Sequence, residues 1–92
     1  MNKYSKKYLD KISSSKVYDV AIKTPITKAE SVSSQFSNKI YLKREDLQPT
    51  HSFKIRGAYN KISHLVEREN TKHVVTASAG NHAQGVAYSA KS

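Results

Sequence analysis

Two short apolar stretches, each followed by a segment of helical period, constrain the fold of this chain more than any other feature. The stretch KIYLKRED places Ile40 and Leu42 on one face, which is the alternation of a β-strand. Residues 73–77, HVVTA, predict a second strand, short and apolar and therefore buried. Strands that alternate with helices favour parallel β-α-β units, so the pattern predicts an α/β fold. A sheet of two strands is marginal in water, so we expect this unit to be incomplete.

Helices are predicted wherever apolar residues recur at every third or fourth position. Ser15 is expected to cap a short helix through Ala21, and Ser52 a long one that continues to Val66. In the last helix, small apolar side chains are expected to pack against a sheet. The predicted helices lie within residues 4–12, 16–21, 27–38, 52–66 and 81–90.

Composition limits the possible classes of protein. The chain has 92 residues, 37% of them hydrophobic, and carries a net charge of +9, so it forms one domain at most, with a thin core. Its lysines are scattered, which favours a solvated surface balanced by acidic residues in another part of a protein; a basic nucleic-acid-binding module is the alternative. The chain has no cysteine, no HxxxH pair, no signal peptide and no membrane-length apolar run. We therefore expect a soluble cytoplasmic protein with no metal, nucleic-acid or membrane partner.

Lys54 stands between Phe53 and Ile55 at the predicted start of the long helix. A lysine attacks a carbonyl only as the neutral amine, and apolar neighbours, the adjacent Arg56 and the helix N-terminus all favour that form. This setting suits a Schiff-base lysine. On composition alone, a lysine that extends past its apolar neighbours into water is equally compatible with the pattern and more common.

The sequence SAGNHAQG, residues 78–85, predicts a turn from a buried strand into a helix, where backbone N–H groups can bind a carboxylate or a phosphate. Gly80 would let the backbone approach a ligand; the alternative is a plain turn capped by Asn81. Nucleotide binding is rejected because Val86 stands where a P-loop needs lysine. Since ligands bind beyond the carboxyl ends of parallel strands, Arg44–Asp46 and Ser52–Lys54 are expected to meet this turn at one sheet edge.

With both segments in view, the chain resembles a known family. KREDLQPTHSFKIRGAYN and TASAGNHAQGVAYSAK closely resemble the N-terminal part of threonine dehydratase (threonine deaminase), and TPI at residues 24–26 matches its early signature. This is a pyridoxal-phosphate enzyme of fold type II, the architecture of the tryptophan synthase β-subunit. The resemblance extends from about Tyr8 to the end. The sequence of the first motif is more similar to the biosynthetic branch of the family, which serves isoleucine synthesis, than to the catabolic branch.

The resemblance implies a role for each matching residue. Lys54 matches the lysine that binds the cofactor, pyridoxal 5′-phosphate, covalently and then acts as the base, and Phe53 lies by the cofactor ring. Asn81 matches the asparagine that hydrogen-bonds the pyridine 3′ oxygen. The loop that holds the substrate carboxylate is matched by Ser78, Ala79, Gly80 and His82. The implied reaction converts L-threonine, or L-serine as an alternative substrate, through an enamine to the 2-oxo acid and ammonia.

The resemblance also implies parts that this chain lacks. The glycine-rich loop for the cofactor phosphate, the residue at the pyridine nitrogen, the second catalytic domain and the regulatory region have no counterpart in residues 1–92, which are expected to form one partial catalytic domain. Full-length family members are expected to be homo-oligomers. We therefore expect the chain to be inactive alone. An interaction fragment of a split enzyme is the alternative, suggested by an exposed sheet edge after residue 77.

Overall fold

The computed structural model describes residues 2–92, as four helices, two short strands and two turns of 3-10 helix. Two of the helices pack on each other and form the centre of the fold. The helices are α1 (Lys3–Ser14), α2 (Glu30–Gln35), α3 (Lys54–Glu69) and α4 (Asn81–Lys91); the strands are β1 (Ile26–Lys28) and β2 (Tyr41–Lys43); the 3-10 turns are Val17–Asp19 and Glu45–Leu47.

The sheet is a single antiparallel pair, β1 with β2, in which Thr27 lies opposite Leu42. The strand predicted around Ile40 and Leu42 is confirmed over Tyr41–Lys43, but its partner β1 was missed. The strand predicted at residues 73–77 is wrong, and with it the parallel pair. This apolar segment has no neighbouring strand among residues 2–92, so it lies outside the sheet, and Val75 is 98% exposed.

Helices α3 and α4 pack directly on each other. Ile55 and Ala58 are the buried residues of α3, and Gly85 and Ser89 are those of α4. The prediction that the alanines of α4 pack against a sheet is wrong, because a helix takes that place and Ala87 stays exposed. Contact between the two helices is therefore made by the smallest side chains of α4, which allow the helix axes to approach closely.

The helix ends differ from those predicted. Ser15 donates its hydroxyl to Ile12 O at 2.9 Å and so closes α1, and Lys16 takes the N-cap position of the next turn. Ser52 lies one residue before the N-cap of α3, and its Oγ accepts the Lys54 N–H at 3.4 Å. Asn70 ends α3 in the left-handed conformation, with φ of 51°, which asparagine tolerates better than most residues.

The apolar core is thin, as the composition predicts. Ala21, Ile55 and Ala58 are the buried hydrophobic residues of the described chain, and Gln48 is buried almost as completely as Ile55. Since so little apolar area is removed from water, much of the stability must come from polar contacts. No helix within residues 2–92 combines the length and the apolar character that crossing a membrane requires.

Candidate active site

A network of polar side chains fixes the first turn of α3. Arg56, two residues after Lys54, makes a two-point ion pair with Glu45, whose second oxygen lies 3.2 Å from Arg56 Nη2. The same oxygen accepts the Thr24 hydroxyl at 2.5 Å and the Gln48 amide at 3.0 Å. The start of α3 is thus tied to two earlier parts of the chain by charge-assisted hydrogen bonds, which are the strong kind.

Gln48 connects this network to the chain before β1. Its amide is 1% exposed, accepts the Ile22 N–H at 2.8 Å and donates to Ile22 O at 2.8 Å. On the outer side, the guanidinium of Arg56 lies 5.4 Å from the centroid of the Tyr18 ring and 3.3 Å from its hydroxyl. The buried amide and the stacked guanidinium each satisfy polar groups that would otherwise be costly to remove from water.

The network shifts the pKa values of Glu45 and Arg56. The hydrogen bond from Arg56, helped by those from Thr24 and Gln48, lowers the pKa of Glu45 to about 2, against the effect of burial. In return, the hydrogen bond to Glu45 raises the pKa of Arg56 above its already high value. Both groups therefore stay charged at neutral pH, and the pair remains intact.

Gly85 brings α4 against the start of α3. A Cβ placed on Gly85 would lie 3.1 Å from the carbonyl carbon and oxygen of Lys54 and 3.2 Å from the Ile55 nitrogen. These are rigid backbone atoms, so only glycine allows this approach without displacement. Asn81 lies one turn earlier on the same face of α4. Lys54, predicted as the nucleophile, and Asn81, predicted to hydrogen-bond the pyridine 3′ oxygen, are therefore on two helices in direct contact.

Lys54 is the first residue of α3 and is half-buried. Its Nζ makes no hydrogen bond and no ion pair with any of residues 2–92, and it lies 5.5 Å from the centroid of the Phe53 ring. The Phe53 side chain itself is 60% exposed. The amine is thus anchored through its backbone, while its reactive atom has no hydrogen-bond or ion-pair partner within residues 2–92 and lies over the Phe53 ring.

The turn before α4 presents backbone donors. Ser78 Oγ accepts the N–H groups of Gly80 at 3.3 Å and Ala83 at 3.2 Å, so Ser78 caps the helix instead of Asn81. The N–H groups of Asn81 and His82 donate to no acceptor within residues 2–92, as expected for the first turn of a helix. Two free donors at the positive end of a helix suit a carboxylate.

The predicted carboxylate residues are exposed. Ser78, Ala79, Gly80 and His82 all face solvent, and a Cβ on Gly80 would meet nothing within 4 Å. Gly80 has φ of −141° and ψ of −131°, which lies outside the regular extended and helical regions. His82 lines a groove of about 370 Å³ between α3, α4 and residues 71–76.

Two sequence interpretations change with this geometry. Arg56 does not act on Lys54 as a free positive charge, because Glu45 neutralises it. Arg44 pairs with Asp46 at 2.8 Å, so the charged cluster after β2 is engaged with the protein, and the parallel sheet edge on which it was expected to bind a ligand is not formed. The role of Glu45 was missed, since nothing in the sequence indicates that it reaches Arg56.

Comparison with known proteins decides the family. The model of the pyridoxal-phosphate dependent enzymes matches residues 17–92, which include α3, the turn at 78–80 and α4. The chain belongs to the pyridoxal-phosphate dependent enzymes. This confirms the predicted fold architecture and the predicted cofactor class of the family.

Relatives within this family are threonine dehydratases, so the predicted resemblance is confirmed. The chain is 57% identical over 84 residues to a threonine dehydratase-like protein of Alternaria alternata, covering 91% of this chain and 20% of that protein. It is 52% identical over 82 residues to the biosynthetic L-threonine dehydratase IlvA of Escherichia coli, covering 89% and 16%. The processed threonine deaminase isoform 2 of Solanum lycopersicum superposes with a TM-score of 0.86 at 49% identity, over 99% of this chain and 25% of that one.

The described residues fit the cofactor of the family in part. The unpaired amine of Lys54 on an anchored helix start suits covalent attachment of an aldehyde, and the free N–H groups at α4 suit an anionic group. The chain spans between about a sixth and a quarter of the relatives it matches. These relatives do not favour the alternative of a nucleic-acid-binding module.

Proposed function

We propose that this chain supplies the lysine side of a threonine dehydratase active site, for a reaction that converts L-threonine to 2-oxobutanoate and ammonia in isoleucine biosynthesis. One observation carries the proposal: the Lys54 amine has no partner within residues 2–92, while the backbone that holds it is fixed by Glu45–Arg56 on one side and by Gly85 on the other. The names of the relatives supply the substrate.

Residues 1–92 form one part of a catalytic domain in this proposal. The superposition over 99% of the chain but 25% of the tomato enzyme supports this division. The reaction accordingly needs the remaining part of such a domain, and the chain alone is expected to be inactive. We place the reaction in the cytoplasm, and assembly into homo-oligomers in the complete enzyme.

Pyridoxal phosphate, when bound, withdraws electrons from the substrate Cα and so makes its proton removable. Lys54 Nζ would hold the cofactor covalently and, as the free amine, would accept the Cα proton of threonine. Phe53, next to this amine, would lie by the cofactor ring.

The start of α4 orients the substrate. Asn81 would donate its side-chain amide to the ring oxygen of the cofactor, and its helix is held against Lys54 by Gly85. The backbone N–H groups of Asn81 and His82, with the loop Ser78–Gly80, bind the substrate carboxylate. Threonine loses its Cα proton and its β-hydroxyl as water, and hydrolysis of the product then releases ammonia. The carboxylate contacts accept L-serine equally, so selection of the β-methyl group is left to other residues.

The proposal is tested by reaction of the purified chain with pyridoxal phosphate, borohydride reduction and peptide mapping. We expect label concentrated on Lys54, and loss of that label in Lys54→Ala. Lys61→Ala is the matched control, because Lys61 is an exposed lysine on the same helix, and its removal should leave the Lys54 label unchanged. Label spread evenly over the lysines of the chain would contradict the proposal.

A further inference from the structure

The segment Lys16–Asp19, which includes the first 3-10 turn, is bound to one face of α3. Three side-chain contacts join the two elements, although the residues in contact are 38 to 51 positions apart in the sequence. The contacts are Lys16 with Glu67 at 2.6 Å, Tyr18 with Arg56 at 3.3 Å and Tyr59 with Asp19 at 3.0 Å. Positions 56, 59 and 67 lie within about 80° of one another around the helix axis, so the segment follows a single face of α3.

The contact of Tyr18 is the one that reaches the first turn of α3. Its partner Arg56 lies two residues after Lys54. The side chains of Lys16 and Glu67 keep 59% and 47% of their surface in water, so this ion pair contributes little on its own and lies three turns further along the helix. Tyr18 is therefore the residue of this segment that can act on the proposed nucleophile.

Every nitrogen of the Arg56 guanidinium has a partner in this arrangement. Nε and Nη2 bind the Glu45 carboxylate, and Nη1 donates to the Tyr18 hydroxyl at 3.3 Å. The guanidinium carbon lies 5.4 Å from the centroid of the Tyr18 ring, which is within the range of a cation–π contact. The ion pair beneath it is largely shielded from water, since the side chains of Arg56 and Glu45 are 26% and 15% exposed. A guanidinium held at all three nitrogens cannot turn without losing one of these contacts.

The Tyr18 hydroxyl is influenced by the charge of this guanidinium. The hydrogen bond from Arg56 and its positive charge lower the pKa of Tyr18 against the effect of burial, and the charges of Lys43 and Lys23 act in the same direction. The contact is therefore electrostatic as well as stacked. Loss of the Tyr18 side chain would take from Arg56 both an acceptor and a covering ring.

Arg56 connects this contact to the backbone of Lys54. Side chains two residues apart on a helix point about 200° apart, so Arg56 and Lys54 leave the first turn in nearly opposite directions. The turn is held through Arg56 by Tyr18 and Glu45, and at the Lys54 carbonyl by the close approach of Gly85. The amine of Lys54 therefore projects from a backbone that is held at two points.

We propose that Tyr18 is a positioning residue for Lys54, which acts through the guanidinium of Arg56. This inference rests on the proposed function, because it names what keeps the amine in place for the aldehyde of the cofactor. Without Tyr18, Nη1 of Arg56 loses its acceptor, and water reaches the ion pair with Glu45. The first turn of α3 then gains freedom, and Lys54 reacts with an aldehyde as an ordinary surface lysine does.

The test compares Tyr18→Ala with Tyr41→Ala, since the two tyrosines are exposed to nearly the same extent, 57% and 56%. Each purified chain is reacted briefly with pyridoxal phosphate, reduced with borohydride and mapped, and the label on the exposed Lys61 serves as internal reference. We expect the ratio of label on Lys54 to label on Lys61 to fall about threefold in Tyr18→Ala, the effect of losing a cation–π contact at an exposed site. The ratio should stay unchanged in Tyr41→Ala. Equal ratios in the two variants would overturn the inference.

The same measurement in the Arg56→Met chain tests whether Tyr18 acts through Arg56. If it does, Tyr18→Ala has no further effect on the label ratio once the guanidinium is absent, because the two changes remove the same contact. An equal fall in both backgrounds would overturn the inference, since Tyr18 would then act on Lys54 by another route.

A second measurement uses a variant that keeps the ring. In an alkaline titration followed by ultraviolet absorption, one phenol of the wild type should ionise below the ordinary range of tyrosine, and Tyr18→Phe should remove that step. The absence of such a step, or its persistence in Tyr18→Phe, would show that Tyr18 is not bound to Arg56 and would overturn the inference.

The proposed function and this inference fail in different ways. Label spread evenly over the lysines of the wild type contradicts the proposed function and the inference with it. Selective label on Lys54 that Tyr18→Ala leaves unchanged overturns the inference alone.

Discussion

The start of α3 is hydrogen-bonded to distant parts of the chain, whereas the backbone of residues 72–79 makes no backbone hydrogen bonds within residues 2–92. At the start of α3, Glu45, Gln48 and Arg56 satisfy each other's polar groups with partners that all lie between residues 18 and 56. In the segment, the backbone makes no such hydrogen bond within residues 2–92. The difference teaches that residues 18–56 hold the start of α3 in place, while the segment leading to the carboxylate loop is not held in this way.

The largest effect on stability is expected from disrupting the network at the start of α3. Arg56→Met leaves the Glu45 carboxylate, 15% exposed, without its charged partner, so the free energy of unfolding should fall by about 3 kcal/mol. Arg44→Met is the matched control, since its partner Asp46 is 57% exposed and the change should cost below about 1 kcal/mol. Urea unfolding followed by circular dichroism measures both, and equal losses would show that the network has no special weight.

Acidification weakens the same network by protonating Glu45. Its pKa lies near 2 in the folded chain, below its ordinary value of 4.5, so the folded state binds the proton more weakly than the unfolded one. The stabilisation is therefore complete above pH 4.5 and is lost as the pH falls towards 2, by about 2 kcal/mol. Unfolding of the wild type and of Glu45→Gln should differ in slope over this range. Parallel pH profiles would refute the assignment to Glu45.

The contact between α3 and α4 predicts that alanine lowers the stability of the chain at Gly85 and raises it at Gly57. Gly85→Ala puts a methyl group 3.1 Å from the Lys54 backbone and should destabilise the chain by about 1 kcal/mol despite a better helix propensity. Gly57→Ala meets nothing within 4 Å and should stabilise it by about 0.5–1 kcal/mol. Thermal unfolding separates the two, and a stabilising Gly85→Ala would mean that the helices are not in close contact.

The smallest effect is expected in the open segment. Val75→Ser removes a side chain that is already in water, so the free energy of unfolding of the isolated chain should change by less than about 0.5 kcal/mol. Val86→Ser, at the half-buried wall between α3 and α4, should cost about 1 kcal/mol or more. A larger loss at Val75 would show that the segment is packed in solution.

The sequence pattern predicted α1, α3 and α4, because apolar residues recur at every third or fourth position in each of these helices. The same reasoning failed at residues 73–77, because a strand forms only when a neighbour pairs with it, and residues 2–92 supply no such neighbour. The partnership of Glu45 and Arg56 could not be predicted either, since it depends on tertiary geometry. The interpretation of SAGNHAQG found the turn but not its cap, because Ser78 and Asn81 are both good caps.

Hydrogen exchange of the isolated chain at neutral pH, resolved by residue, tests the central claim most directly. Amides in the middle of α3, from Ala58 onward, should be protected, while those of residues 73–77 should exchange as in an unfolded peptide. That result would show a chain that is organised around Lys54 and open at residues 73–77. Equal protection of both regions would contradict the account, because the segment would then have found its partners within this chain, and so would the absence of protection in α3.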